Sequence, residues 1–208
     1  MSECYLIPAS ECVVEEEIKH SRFISILFHC SDPQVMKIQL ERVKHRYPNA
    51  SHYCYAFVCG QPTSSLSIGF SDDGEPSGSA GRPMLAHLQG CDIGEIGVIV
   101  VRYFGGTKLG VGGLVRAYSS GIKQGLKILE TKLKQLRYPG FLECEYAQLT
   151  DVEYYLVQYD AVIEDRVFTD KVKVSFSIGK GQEEALNRDL ALMSQGHLIA
   201  TFTSNTKK

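Results

Sequence analysis

The sequence predicts an α+β chain of two domains, an N-terminal α/β domain over 1–138 and a smaller C-terminal one over 139–208. Three observations predict it. The 208 residues exceed the ~100–150 of a common single domain. Fourteen of the 19 glycines fall between Gly69 and Gly125, which sets one zone apart from its flanks. After Tyr138-Pro139-Gly140, strand and helix patterns follow in the order β-α-β-β-α-β, the ferredoxin-like split unit. With 44% apolar residues the chain can bury a core, so wholesale disorder is excluded.

In chain order, Val13–Ile18 and Arg22–Phe28 read as strands joined near His20-Ser21. Asp32-Pro33 supplies an N-cap and a first-turn proline for a helix that ends before Pro48. His52–Cys59 is strand-like, rich in aromatic and small apolar residues. Gly81-Arg82-Pro83 opens a short helix through Met84, Leu85 and Leu88 that ends near Gly90. Glu95–Phe104 has no polar face and reads as a buried strand. A helix follows from Leu114 to Leu136. At ~100° per residue from Arg116, Lys123, Lys127 and Lys134 fall within ~20° of it, while Val115, Ile122, Leu126, Leu129, Leu133 and Leu136 fall opposite. Gly121 and Gly125 project beside that apolar face, where they permit close packing.

Beyond 138 the expected elements are strand 141–146, helix 151–159, strands 161–168 and 171–178, helix 183–193 and strand 197–203. Val172 to Ile178 alternates with period two, so one face is buried and the other open. Lys207-Lys208 reads as a frayed end.

Several classes of function drop out. The longest apolar run, Ile96–Val101, is far short of the ~20 residues that span a bilayer, so no membrane partner is expected. Met1-Ser2-Glu3-Cys4 lacks the basic and apolar regions of a signal peptide. Seven cysteines with no CxxC pair suit a reduced, cytoplasmic protein. His52 with Cys54, and His87 with Cys91, are the nearest approach to a Cys–His couple or a zinc site, and buried small cysteines account for them better. Ser77-Gly78-Ser79-Ala80-Gly81 misses the nucleophile elbow by its first residue.

Charge is informative by segment. Residues 1–138 hold 15 basic against 13 acidic side chains, and 139–208 hold 7 against 11. Arg102 to Arg137 carries eight basic residues and one acid, Glu130. Such a field favours anionic partners, although a solvated helix face gives the same pattern. Gly105-Gly106-Thr107-Lys108-Leu109-Gly110-Val111-Gly112-Gly113 stands between the buried strand and the basic helix, where backbone N–H groups and the helix dipole can meet an anion. It matches neither a Walker A loop nor GxGxxG, and glycines serving tight turns explain it equally well. In Asp72-Asp73-Gly74-Glu75, three carboxylates in four residues need a cation or N–H donors among them. Mg²⁺ is one reading; Arg82 or Arg102 as counter-ion is another, and exposed turn carboxylates a third. No other cofactor is expected.

Asp72 to Leu85, with its Asp-Asp-Gly-Glu-Pro-Ser-Gly-Ser-Ala-Gly-Arg-Pro run, and Val100 to Tyr118, with Arg-Tyr-Phe-Gly-Gly-Thr-Lys-Leu-Gly-Val-Gly-Gly, resemble the two signature stretches of the YigZ/IMPACT family. Lys19 to Ile24 and His52 to Ala56 match its shorter N-terminal motifs. The resemblance covers the whole chain in its bacterial, two-domain form. It implies an N-terminal domain folded like the second domain of a ribosomal small-subunit protein, and a ferredoxin-like domain similar to the last domain of elongation factor G. Eukaryotic members regulate translation by competing for a partner of a starvation-activated kinase. The partner-binding domain they use is not expected here, and the family supplies no catalytic residues to carry over.

The expected function is therefore non-enzymatic and translation-linked, with RNA or the ribosome as partner. Arg102, Lys108, Arg116, Lys123, Lys127 and Lys134 would meet phosphates, and Gly105, Gly106, Gly110, Gly112 and Gly113 would offer backbone donors. The alternatives are a metal-dependent enzyme acting on a phosphorylated or nucleotide-like molecule through Asp72, Asp73 and Glu75, and a protein-interaction module.

Overall fold

The structure, a computed structural model, describes residues 4–62 and 67–203. Met1 to Glu3 and Lys207-Lys208 lie outside the described residues. The chain divides into two compact units, one of Tyr5–Lys134 and one that groups Cys4 with the chain from Gln135 on. The division falls four residues before the expected 138/139, and Tyr138-Pro139-Gly140 lie inside a strand.

The N-terminal unit opens with β1 (Cys4–Pro8), β2 (Cys12–Ile18), β3 (Ser21–His29), α1 (Pro33–Arg46), β4 (His52–Val58) and β5 (Ile68–Ser71). It closes with α2 (Gly81–Gln89), β6 (Ile96–Tyr103), α3 (Val111–Ile128) and β7 (Thr131–Gln135). Five strands form an antiparallel sheet in the order β2-β3-β6-β4-β5, while β1 and β7 make a separate ribbon. Strand periodicity sorts the core into two layers. Ile24, Ile26, Phe28, Ile99 and Val101 face α1 through Met36 and Val43. Phe23, Leu27, Val98 and Val100 belong to the opposite layer, with Met84 and Leu88 of α2 and Leu114, Tyr118 and Ile122 of α3. Asp32 caps α1 as expected, accepting the amides of Gln34 and Val35.

Gly121 and Gly125 occupy the centre of the buried face of α3. A Cβ at Gly121 would lie 2.2 Å from Ser25 Oγ, and one at Gly125 would lie 2.5 Å from Leu27 Cδ1. The helix thus lies against β3 more closely than any side chain would allow. Leu114, off the arc drawn from the sequence, is buried, and Leu133, placed on it, is exposed. The expected helix to Leu136 is also cut short. After Ile128 the backbone extends at Leu129, and Thr131–Gln135 becomes a strand. Lys134 therefore leaves the helical stripe.

The C-terminal unit consists of β8 (Arg137–Cys144), α4 (Leu149–Gln158), β9 (Val162–Phe168), β10 (Val172–Gly179), α5 (Glu183–Met193) and β11 (Thr201–Phe202). Its antiparallel sheet runs β11-β8-β10-β9, so the two βαβ halves interleave in the ferredoxin-like manner. Val172, Val174, Phe176 and Ile178 point into a core shared with Val152, Leu156, Leu186 and Leu190. Among the described residues no helix is long and apolar enough to cross a membrane.

One pair of glycines gives a test of this packing. A Cβ at Gly105 would sit 1.9 Å from the His20 carbonyl oxygen, which is backbone and cannot swing away. At Gly112, in the first turn of α3, a Cβ meets nothing within 4 Å. Gly105→Ala should lose roughly 1–3 kcal/mol in urea unfolding, whereas Gly112→Ala should gain up to ~1 kcal/mol.

Candidate functional site

The acidic turn after β5 is built around its own backbone. The Asp72 carboxylate accepts the amides of Gly78 (2.8 Å), Ala80 (3.0 Å) and Gly81 (2.8 Å). Burial pushes the Asp72 pKa up, but those three donors, with Arg82 nearby, outweigh it and hold the group below its ordinary value. Asp73, at φ +43°, accepts the Tyr53 amide at 2.6 Å. Gly74 and Gly78 take the left-handed conformations that turn the chain.

The result is to carry Glu75 inward onto β6. Glu75 Oε1 lies 2.5 Å from Arg102 Nη1, and Tyr118 of α3 donates its hydroxyl to the same oxygen at 2.8 Å. Glu75 and Arg102 are almost wholly buried, and Tyr118 fully so. The Arg102 guanidinium is flanked by the rings of Phe23 and Phe104, 5.4 and 5.5 Å from their centroids. Ser21 Oγ accepts from Arg102 Nη2 at 3.5 Å and from the Gly105 amide at 3.2 Å. His52 donates Nδ1–H to the Asp73 carbonyl at 2.7 Å and turns Nε2 to within 3.9 Å of Glu75 Oε2.

These contacts revise several expectations. Arg102 is withdrawn from the phosphate-contacting set, because its charge is buried and matched by Glu75. It is also the counter-ion of the acidic turn. The three carboxylates serve separate partners, and among the described residues no group of three or more His, Cys, Asp or Glu side chains could hold a metal ion. The Cys54 thiol lies 3.0 Å from the Asp72 carbonyl and 3.3 Å from the Tyr118 hydroxyl. Burial pushes it up to about 12, so it stays protonated at neutral pH and is a poor nucleophile. Cys91 donates to the Leu88 carbonyl at 3.1 Å. Burial, then the nearby Lys123, lower the pKa of His87.

Lys134 is likewise spoken for. It pairs with Glu95, a buried carboxylate that also accepts from Tyr5 (2.8 Å) and faces His29 Nε2 at 2.6 Å. The remaining cations behave differently. Arg116, Lys123 and Lys127 are exposed on α3, and Lys108 is exposed in the loop before it. Among the described residues none of these four has an ion-pair partner; Arg116 Nε donates only to the Gly112 carbonyl, at 3.1 Å. Neither α2 nor α3 contains an acidic residue.

The glycine loop is open. Gly106 (φ +85°) and Gly110 (φ +74°) would have nothing within 4 Å of a Cβ. Gly110 is the N-cap of α3 and supplies no side-chain acceptor, so the first-turn amides at Val111, Gly112 and Gly113 keep their donor capacity. Gly105 is a structural glycine, its amide already given to Ser21. Two cavities flank this end of α3, meeting at Leu109. One, of about 390 Å³, is lined by Lys19, Arg116 and Ser120 among others; the second, of about 360 Å³, by Pro76, Arg102, Phe104 and Lys108 among others.

Residues missed by sequence reasoning are Ser21, Tyr118 and Glu95. A signal existed for Arg102 itself: an arginine ending a run of buried β-branched residues needs a carboxylate brought to it.

Two outcomes are expected. Glu75→Gln leaves Arg102 buried without a countercharge and should cost roughly 3–5 kcal/mol in urea unfolding at neutral pH. Burial raises the Glu95 pKa, but Lys134, His29 and Tyr5 together bring it below its ordinary value. A depressed folded pKa stabilises above the unfolded value, and that contribution fades as pH falls through the folded one. The stability gap between the native chain and Glu95→Gln should therefore be widest near pH 7 and shrink on acidification below about pH 4.

Comparison with known proteins agrees with this organisation. The Impact N-terminal domain matches residues 19–126, and a domain of unknown function, DUF1949, matches 142–197. An IMPACT family member of Haemophilus influenzae is 45% identical over 195 residues, 94% of this chain and 95% of the relative. The IMPACT family member YigZ of Escherichia coli is 44% identical over 196 residues, 94% and 96% of the two chains. YvyE of Bacillus subtilis, another IMPACT family member, is 31% identical over 86% of this chain and 82% of its own. A crystal structure titled only as a hypothetical protein aligns with a TM-score of 0.83 at 42% identity, over 99% of this chain and 100% of that one. On these matches, the first of which spans the acidic turn, the buried strand and the glycine loop, the chain belongs to the IMPACT family.

Proposed function

We propose that this protein acts in translation by docking on RNA or the ribosome through the outer face of α3 and the loop before it. One observation carries the reading: Lys108, Arg116, Lys123 and Lys127 are exposed and without an ion-pair partner among the described residues, on or just before a helix that contains no acid. Unmatched cations cost little in water and gain by releasing counterions from a phosphate backbone. Recognition of this kind follows backbone and shape rather than base sequence.

The C-terminal unit contributes differently. Its charge is net acidic, which suits direct RNA contact poorly. It does expose Val157, Phe168, Leu192 and Ile199, which favours a protein partner as the second reading.

Sedimentation with ribosomal fractions, before and after RNase and at two salt concentrations, tests both. Co-sedimentation at low salt should vanish with RNase, and log affinity should fall with log salt by ~0.7 per phosphate engaged on a single strand. Arg116→Glu with Lys123→Glu should abolish it while the melting temperature holds. Retention that survives RNase and high salt would instead mark a protein partner, and absence of retention at low salt would overturn the docking reading.

A further inference from the structure

The cavity of about 360 Å³ beside the glycine loop falls in the ~300–1,000 Å³ range of small-ligand sites. Its walls are mostly apolar, from Pro76, Phe104, Leu109, Val111 and Leu114. Phe104 and Val111 remain 49% and 57% exposed, more than an apolar wall in a finished core would be. Arg102, itself 5% exposed, lines the same cavity, and its Nε has no hydrogen-bond partner. A buried donor without an acceptor is costly to keep, and the ones that persist in native structures call for a ligand, a water or a function.

The charges at this cavity are sharply limited. Glu75 already matches Arg102, which leaves Lys108 at the rim and the uncapped amide end of α3 to meet an anion. That complement suits one phosphate and is too small for a polyphosphate. The flat ring of Phe104, backed by the Arg102 guanidinium at 5.5 Å, suits a planar heterocycle. Glu75 and Arg102 make a polar stretch in an otherwise apolar wall, against which the edge of a base can be matched.

We propose that this cavity binds a single unstacked nucleotide, its base against Phe104 and its phosphate at Lys108 and the first turn of α3. The nucleotide is either a free nucleoside monophosphate or one residue of a single strand. The site shares Lys108 and the first turn of α3 with the proposed docking face but not Arg116, Lys123 or Lys127, so substitutions at those three residues separate the two readings.

Calorimetric titration of the full chain with adenosine 5′-monophosphate, inorganic phosphate and a single-stranded RNA hexamer tests it. The monophosphate should bind more tightly than phosphate. Gly112→Asp puts a carboxylate at the helix N-terminus, where it favours the helix but repels the ligand, and should weaken the monophosphate at least ~10-fold with the melting temperature kept. Lys108→Glu, in the exposed loop, should weaken it in the same direction. Phe104→Ala should weaken it about fivefold or more and leave phosphate unmoved. Preference for the hexamer over the monophosphate assigns the strand as source, and equal binding assigns the free nucleotide. No heat with either nucleotide, affinity no better than phosphate, or indifference to both Phe104→Ala and Lys108→Glu would overturn the proposal. Lys123→Glu with Lys127→Glu separates the readings, since it should remove ribosome retention and spare the monophosphate.

Discussion

A guanidinium inside a β-sheet core sets the terms for the N-terminal unit. Removing such an ion from water costs several kcal/mol unless a carboxylate meets it in good geometry. Arg102 lies on the central strand of five, with Phe23 and Phe104 against its plane, so its partner must come from another element. The acidic turn supplies that partner, and the Asp72 nest of three amides gives the turn a shape that delivers Glu75. Tyr118 then ties α3 to the same oxygen, and Ser21 ties the β2–β3 turn to Arg102 and the glycine loop. Four segments distant in sequence are held to one ion pair.

Much of the fold was legible because its periodicities are strong. The alternation Val172 to Ile178, the unbroken apolar run of β6 and the Asp32-Pro33 start each have one reading, and each gave the element observed. The end of α3 was not legible, since Thr131 to Gln135 fits either period over so short a length. Pairing with β1 and the pull of Glu95 on Lys134 decide it, and both are tertiary. The same limit governs the site. The acidic turn and the glycine loop announced themselves by composition, but which carboxylate meets which cation depends on the turn's path, a property of backbone amides that all residues share.

Seven of the eight basic residues from Arg102 to Arg137 thus divide by partner rather than by spacing, and the eighth, Lys132, is exposed on β7. Arg102 and Lys134 neutralise interior acids, and Arg137 pairs with Asp160 in the C-terminal unit. Arg116, Lys123 and Lys127, with Lys108 just before them, face solvent beside an uncapped helix end. Neither α2 nor α3 contains an acid, and the carboxylate of Glu16 that reaches α3 is taken by Ser120 and Gln124 rather than by a cation.

The ribbon of β1 and β7 has its own architectural meaning. The first and last strands of the N-terminal unit are hydrogen-bonded neighbours, with the Ala9 amide given to the Glu130 carbonyl at 2.8 Å. A module whose entry and exit run side by side is closed on itself. Adjacent chain ends of this kind are where domains in general accept insertion into another polypeptide or circular permutation. Geometry of that sort makes the unit portable, free to acquire different neighbours while its interior stays the same.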